Sequence, residues 1–228
     1  MDIEVREQRG RYGTFEWLDL EGMFRERLDR EDFSGATLLD LGTGEGRLAL
    51  HLAPRADIVV GIDTDEGALE IARRRAREAG ISNATFLVAD ADTANYRLLV
   101  RSPIDYVVAS HFMSEPAIRA TAKGLRNGGK FLFVAHHTDQ WRETGHPSRF
   151  SFSERAMEEL LVSNGFVVEF LGVDRTVVGY DGLAQLAEAH PTLHRRWKQR
   201  GRWDAFAAKV GDGPFELTWA GLVGVARK

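Results

Sequence analysis

Leu38-Leu39-Asp40-Leu41-Gly42-Thr43-Gly44-Glu45-Gly46-Arg47-Leu48-Ala49-Leu50 is the stretch around which the chain is organised. An apolar run ends in a carboxylate, glycines follow at three alternate positions, and an amphipathic segment begins at once. That order reads as strand, tight turn, helix. Glycine has no Cβ and tolerates positive φ, so the backbone N–H groups of such a turn come close to a ligand. A dinucleotide site needs G-x-G-x-x-G; here the third glycine, Gly46, comes one position early and Arg47 takes the required place. Asp40 and Glu45 flank the loop. Carboxylates there repel a pyrophosphate but suit a ligand that carries an ammonium and a sulfonium. A glycine turn with a purely structural role is the plain alternative.

Outward from the loop the same alternation repeats. Ile58-Val59-Val60-Gly61-Ile62 is a continuous β-branched run ending at Asp63, as expected of a buried parallel strand. The stripe Ala68, Leu69, Ile71, Ala72 and Ala76 then predicts a helix that closes at Gly80. Further strands are predicted over 85–89, 104–109, 130–135, 166–173 and 215–226, with helices near 116–125 and 153–164. Upstream, Leu18, Met23, Phe24 and Leu28 suggest a short helix, and Ser34-Gly35 breaks the chain before the first strand at 36–41. Strands alternating with helices of this length mean βαβ units and a parallel sheet. Residues 181–210 form a helical insertion between the last two strands, inside what reads as a single domain over 1–228 without internal repeats.

Composition narrows the function. At 228 residues, 43% apolar and 28% charged, the chain has the makings of one soluble α/β domain. No apolar run approaches the roughly 18 residues of a membrane span, and Met1-Asp2-Ile3-Glu4 lacks the blocks of a signal peptide. A cytoplasmic protein with no membrane partner is expected. The absence of cysteine removes disulfides, thiolate metal sites and thiol nucleophiles, including attack of a cysteine on a pyrimidine ring. A net charge of −4 argues against a general nucleic-acid binder. Nothing in the sequence speaks to oligomeric state.

The glycine loop resembles motif I (D/E-x-G-x-G-x-G) of the class I S-adenosylmethionine-dependent methyltransferases. Three later segments resemble further motifs of that family in the right order, so the resemblance covers about 36–173 and the last strand more loosely. It implies a seven-stranded, mostly parallel Rossmann-like sheet with helices on both faces and an antiparallel last strand lying between the fifth and sixth. It also implies S-adenosylmethionine as cofactor, held at Asp40, Gly42, Thr43, Gly44 and Gly46. Open parallel sheets bind ligands at the carboxyl ends of their strands, where strand order reverses, and Asp40, Asp63, Asp90, Ser110 and His111 all fall there. By resemblance, Asp63 is the ribose-binding acid, while Asp65 better fits a helix cap. Leu87-Val88-Ala89-Asp90-Ala91-Asp92 resembles the segment in which an aspartate accepts from the adenine amino group and the next N–H serves the ring. Asp90 and Ala91 match, with Asp92 a competitor. Ile104-Asp105-Tyr106-Val107-Val108-Ala109-Ser110-His111-Phe112 resembles the fourth-strand motif beside the methyl group. The N-P-P-[YF] signature of exocyclic base methylation is absent, so DNA is not an expected partner. His111 is the candidate general base, since imidazole titrates near neutrality; a packing role is the alternative.

The acceptor is sought further out. His136-His137-Thr138-Asp139, with His146 beyond, follows the fifth strand, and His136 and His137 are substrate candidates. Adjacent histidines on a strand end point to opposite faces, so no metal site is expected. In the insertion, Trp197, Trp203 and Phe206 lie among Arg195, Arg196, Lys198, Arg200 and Arg202. This reads as a cap with an aromatic lining in which Trp197 meets a small substrate, as plain helical packing, or as a surface for RNA. Residues 1–33 are expected to form an N-terminal lid and helix, with Tyr12 and Trp17 reaching the substrate. The expected reaction is methyl transfer to an oxygen or nitrogen of a small molecule. RNA or protein methylation, or a non-catalytic S-adenosylmethionine-binding module, are the alternatives.

Overall fold

Strands buried on both faces read as near-continuous apolar runs, and the strand Thr37–Leu41 is buried throughout, Asp40 included. The computed structural model describes residues 3–12, 22–145 and 150–228, so Trp17 and His146 lie outside the described residues. In chain order its strands are β1 (Glu4–Arg11), β2 (Thr37–Leu41), β3 (Ile58–Asp63), β4 (Ala84–Val88), β5 (Ile104–Ser110), β6 (Leu125–His137), β7 (Ser151–Phe152), β8 (Val167–Tyr180) and β9 (Phe215–Arg227). The helices are α1 (Gly22–Asp29), α2 (Arg47–Leu52), α3 (Glu66–Glu78), α4 (Tyr96–Leu99), α5 (Glu115–Gly124), α6 (Glu154–Ser163), α7 (Leu183–Ala189), α8 (Pro191–Gln199) and α9 (Arg202–Val210).

One sheet runs β1-β8-β9-β6-β5-β2-β3-β4, with β7 paired to β6. Every pairing is parallel except those of β9, which runs antiparallel to β6 and β8. Alternate residues of β2 feed two cores. Leu39 and Leu41 join Val107, Phe131 and Phe133 on one face, while Leu38 joins Val59, Val108 and Leu132 on the other. From β2 the chain moves out to β3 and β4 and returns on the opposite side as β5, so strand order reverses between β2 and β5. Register sets Asp40 level with Gly61 and Val108, and the crevice opens just beyond.

Among the described residues the sheet has nine strands, not the expected seven. Residues 4–11, read from sequence as part of a lid, instead form the edge strand β1, paired with β8 from Glu4↔Gly172 to Arg11↔Gly179. Its side chains are polar because they face solvent and the charges of α1: Arg6 pairs with Glu26 at 2.7 Å and Arg27 with Glu4 at 2.8 Å. Charged side chains of this kind blunt a sheet edge. β8 also runs well past the expected end at Val173, because its polar residues find partners. Asp174 accepts from Met23 N at 2.7 Å and caps α1, and Arg175 pairs with Asp139 at 2.6 Å.

β6 stops pairing with β9 at His136↔Gly221, whereas β8 and β9 continue to Tyr180↔Phe215. The two strands therefore form a ribbon beyond the carboxyl end of β6, and α7 to α9 pack on it through Tyr180, Trp197, Trp203, Phe206 and Leu217. The edge of β9 that β6 leaves is covered by the loop after it. Trp141 N donates to Thr218 O at 2.8 Å, and Glu143 accepts from Thr218 N at 2.9 Å. Buried backbone groups are thus satisfied where the ladder ends. Among the described residues no helix is long and apolar enough to cross a membrane.

Deleting residues 1–11 bares the edge of β8 from Gly172 to Gly179. The shortened protein should keep its far-ultraviolet circular dichroism but self-associate at concentrations where the full chain does not, as read by light scattering. Identical scattering from the two would show that β1 does not protect the edge.

Candidate cofactor and acceptor site

The turn after β2 holds three left-handed glycines, at φ 63° for Gly42, 52° for Gly44 and 80° for Gly46. Two of them do different jobs. A Cβ on Gly42 would sit 2.6 Å from Phe112 Cβ, so Gly42 admits the neighbouring loop. A Cβ on Gly44 would meet nothing within 4 Å, because its open side faces a recess. The loop is pinned to β3 by Thr43 N donating to Ile62 O at 2.9 Å and Gly44 N donating to Asp63 Oδ2 at 2.9 Å. Asp63 Oδ1 takes Asp65 N at 3.0 Å. A carboxylate offers about four lone-pair positions, so Asp63 retains acceptor capacity for a pair of hydroxyls. Asp65 caps α3 by accepting from Ala68 N.

Asp40 is 1% exposed, and its Oδ2 accepts from the Thr43 hydroxyl at 2.6 Å. Burial pushes its carboxyl up to about 7, and the Asp63 charge adds to the rise against the hydrogen bond from Thr43. It stands in the wall of a cavity of about 390 Å³ whose lining includes Gly44, Arg47, Leu48, Ser110 and His111. His111 follows β5 at φ 55°, a conformation that is costly without glycine, and its N–H donates to Val134 O at 2.8 Å. The side chain has open surface, but within a recess. Enclosure by protein, with the Arg47 guanidinium beside it, pulls its imidazole down to about 4. His136 lies 5.3 Å away, ring centre to ring centre, and burial with His111 nearby also pulls it down to about 4. Both rings are neutral at physiological pH.

Asp63, Asp90 and Ala91 do not line this cavity; they continue the same sheet edge at the ends of β3 and β4. Asp90 is exposed, and one of its oxygens accepts from Asp92 N at 2.9 Å. Asp92 is taken up by the Ser114 hydroxyl, and the Tyr96 hydroxyl donates to Ala91 O at 2.8 Å. The two candidate acids are thereby distinguished: Asp92 ties two loops together, and Asp90 faces outward.

The structure separates His136 from His137. His137 is buried, its Nδ1 accepting from Asp139 N at 3.1 Å, which leaves Nε2–H to donate to Glu154 at 3.1 Å. It ties β6 to α6 on the side away from His111. Trp197 is 3% exposed, packed edge-on to Trp141 at 5.2 Å and to Phe206 at 5.6 Å, so it is core of the insertion and not an open lining. Tyr12 stacks on Tyr180 at 5.7 Å at the side of the same aromatic cluster. Arg47 and Trp141 were not among the sequence candidates. Arg47 directly follows the motif, while the left-handed φ of 57° at Trp141 has no sequence signal. Among the described residues no group of His, Asp and Glu has the makings of a metal site.

Gly42→Ala should lower stability by about 2–5 kcal/mol, combining left-handed strain with overpacking against Phe112. Gly44→Ala should cost only about 1–2 kcal/mol in strain, yet weaken S-adenosylmethionine binding more than tenfold because its methyl group enters the recess. Urea denaturation and titration calorimetry measure the two effects. Undiminished affinity in Gly44→Ala would place the cofactor elsewhere.

The geometry has counterparts among known proteins. A family model described as a methyltransferase domain matches residues 32–146, which carry the glycine loop, Asp63, Asp90 and His111. The methyltransferase YcgJ of Bacillus subtilis is 28% identical over 132 residues, covering 51% of this chain and 52% of that protein. The ubiquinone biosynthesis O-methyltransferase of Saccharophagus degradans is 30% identical over 135 residues, covering 51% and 55%. The matched stretch thus spans about half the length of these curated relatives. A crystal structure of YcgJ shares the fold with a TM-score of 0.66 at 18% identity, over 90% of this chain and 96% of that one. With half its length matched by the family model and the motif residues gathered at one sheet edge, the chain belongs to the class I S-adenosylmethionine-dependent methyltransferases.

Proposed function

We propose that this protein transfers a methyl group from S-adenosylmethionine to an oxygen or nitrogen atom of a small molecule. The observation that carries the reading is the row of carboxylates, Asp40, Asp63 and Asp90, at the ends of three adjacent strands around an open glycine turn. Asp63 takes the ribose hydroxyls. Asp90 and the Ala91 N–H take the adenine. Asp40, Thr43 and Gly44 face the methionine portion, where the Arg47 guanidinium suits its carboxylate. The cofactor supplies an electrophilic methyl on a sulfonium whose leaving group is a neutral thioether, so no acid is needed on that side.

The protein's own work is then positioning and proton removal. Holding a nucleophile about 3–3.5 Å from the methyl and in line with it accounts for most of the acceleration. His111, on the cavity wall at the end of β5, is placed to accept the proton of a hydroxyl acceptor. With its pKa pulled down to about 4 it is a weak base, and it takes that proton as the new carbon–oxygen bond makes the oxygen's proton acidic. A neutral imidazole also avoids the repulsion that an imidazolium would exert on a sulfonium. Ser110 lies beside it on the cavity wall. Residues 181–210, carried on the β8–β9 ribbon past the end of β6, serve as a cap over the acceptor within a single domain.

A second reading, methylation of RNA or protein, has one observation in its favour. Arg195, Arg196, Lys198 and Arg200 on and beside α8 are exposed, and none makes an ion pair with a described residue.

Titration calorimetry should show binding of S-adenosylmethionine and S-adenosylhomocysteine but not of NAD. Asp63→Ala should weaken binding by about tenfold or more, the scale of hydrogen bonds to a charged group. Labelled methyl offered to a fractionated cell extract should then appear in the small-molecule fraction. Binding of NAD alone overturns the cofactor assignment. Label in RNA, with binding that weakens steeply as salt rises, favours the second reading.

A further inference from the structure

Next to His111 the structure gathers two aromatic side chains with unfilled hydrogen-bonding capacity. We propose that His136 and Trp141 form the wall that receives the methyl acceptor, and that the acceptor is a neutral, planar aromatic molecule bearing a hydroxyl group. The inference rests on the methyl-transfer reading above and names its substrate class.

Three rings follow one another outward from the cavity. His111 and His136 are 5.3 Å apart at 33°, and His136 and Trp141 are 6.0 Å apart at 40°. Tilted rings at these spacings present faces and edges on which a flat ring packs well, and an aliphatic chain gains less there. His136 Nδ1 and Trp141 Nε1 are both buried, and neither has a hydrogen-bond partner among the described residues. Buried polar atoms are normally satisfied, so two orphans on adjacent rings mark a place where the described residues leave hydrogen-bonding capacity unfilled. The indole N–H is a donor only and calls for an oxygen or ring nitrogen on the acceptor.

Backbone strain falls at the same place. Among the described residues His111 and Trp141 are the two non-glycine residues with positive φ, at 55° and 57°, and they flank His136. Such strain persists where surrounding structure enforces it, and it clusters at ligand sites. For Trp141 the enforcement is visible: its N–H is held by Thr218 O, and Glu143, two residues on, grips Thr218 in turn.

Charge completes the description. The carboxylates near this wall are already engaged: Asp139 with Arg175 at 2.6 Å, Glu154 with His137 at 3.1 Å, and Glu143 with Thr218. None of these three carboxylates is free to receive an ammonium, and both imidazoles are held neutral, His136 by burial and His111 by its enclosure beside Arg47. The wall therefore suits an uncharged acceptor. In the transfer, the methyl carbon–sulfur bond breaks with its electron pair left on the thioether, and a methyl carbon–oxygen bond forms. The hydroxyl proton passes to the His111 imidazole and then to solvent, giving an aryl methyl ether.

The test measures acceptor binding apart from turnover. Wild-type protein saturated with S-adenosylhomocysteine is titrated calorimetrically with 2-naphthol, 8-hydroxyquinoline and catechol, and with cyclohexanol and benzylamine for contrast. At least one planar hydroxyl compound should bind, and the contrast pair should not. Trp141→Phe, which keeps a ring and removes the N–H, should weaken that binding about tenfold while leaving S-adenosylhomocysteine affinity unchanged. Should Trp141→Phe fail to fold, His136→Phe carries the same expectation. The inference is overturned if protein that binds S-adenosylhomocysteine takes none of the planar compounds, prefers the amine, or is indifferent to both substitutions. Failure of wild-type protein to bind S-adenosylhomocysteine at all overturns the methyl-transfer reading beneath it, a result distinct from the others.

Discussion

A carboxylate buried where a strand ends is the constraint on which the rest of this structure depends. Asp40 sits at 1% exposure with a 2.6 Å hydrogen bond from Thr43, and its acid is pushed up to about 7. Burying an ionised group without a partner is costly, so the group is held partly neutral or must be met by a cation. Around it the loop has little freedom. Thr43 N is fixed to Ile62, Gly44 N to Asp63, and Gly42 is closed off by Phe112. These links join β2 to β3 and to the segment after β5, which are the elements on either side of the point where strand order reverses. The side of the loop left open, above Gly44, is the side that meets the cavity.

The second structural decision is made at the other end of the sheet. β8 and β9 outrun β6, and the ribbon they form carries three helices beyond the carboxyl edge. Its free edge is secured by Gln140, Trp141 and Glu143, with Gln140 accepting from Ala220 N and Glu143 from Thr218 N. One short loop therefore does two things. It closes an interrupted ladder, and it brings Trp141 against His136 within reach of His111. The proposed cofactor side and acceptor side are built from different parts of the chain and meet at the end of β5.

The glycine turn and the acids at the strand ends were legible in the sequence because each of their signals is local. Continuous apolar runs marked strands covered on both faces, and each ended in the acid that now lies at the sheet edge: Asp40, Asp63 and Asp90. Asp65 was readable as a cap from its place before an amphipathic stripe. The β8–β9 ribbon and the packing around His136 and Trp141 were not legible, because their signals are long-range. β1 has no hydrophobic alternation; it is a strand because β8 offers it a ladder. β8 passes Val173 through polar residues whose partners, Met23 and Asp139, lie far off in the chain. The expected divergence of His136 and His137 is visible on β6, yet which of the two would meet His111 depended on the packing of α6 and Glu154. Trp197 looked like an open lining residue and is buried because α9 folds back over α8. No pattern of residue types announces a left-handed tryptophan.

If Asp40 is the residue that answers a cationic cofactor, binding must draw its proton off. The direct measurement is the enthalpy of S-adenosylmethionine binding at pH 7 in buffers of different ionisation enthalpy, for wild-type protein and for Asp40→Asn. A cation arriving beside an acid poised at about 7 lowers its pKa, so wild-type protein should release a fraction of a proton at pH 7 and progressively less toward pH 9. Asp40→Asn should lose that component. Equal proton exchange in the two proteins, or tight binding with none in the wild type, would show that the buried carboxylate does not respond to the cofactor and would contradict the account.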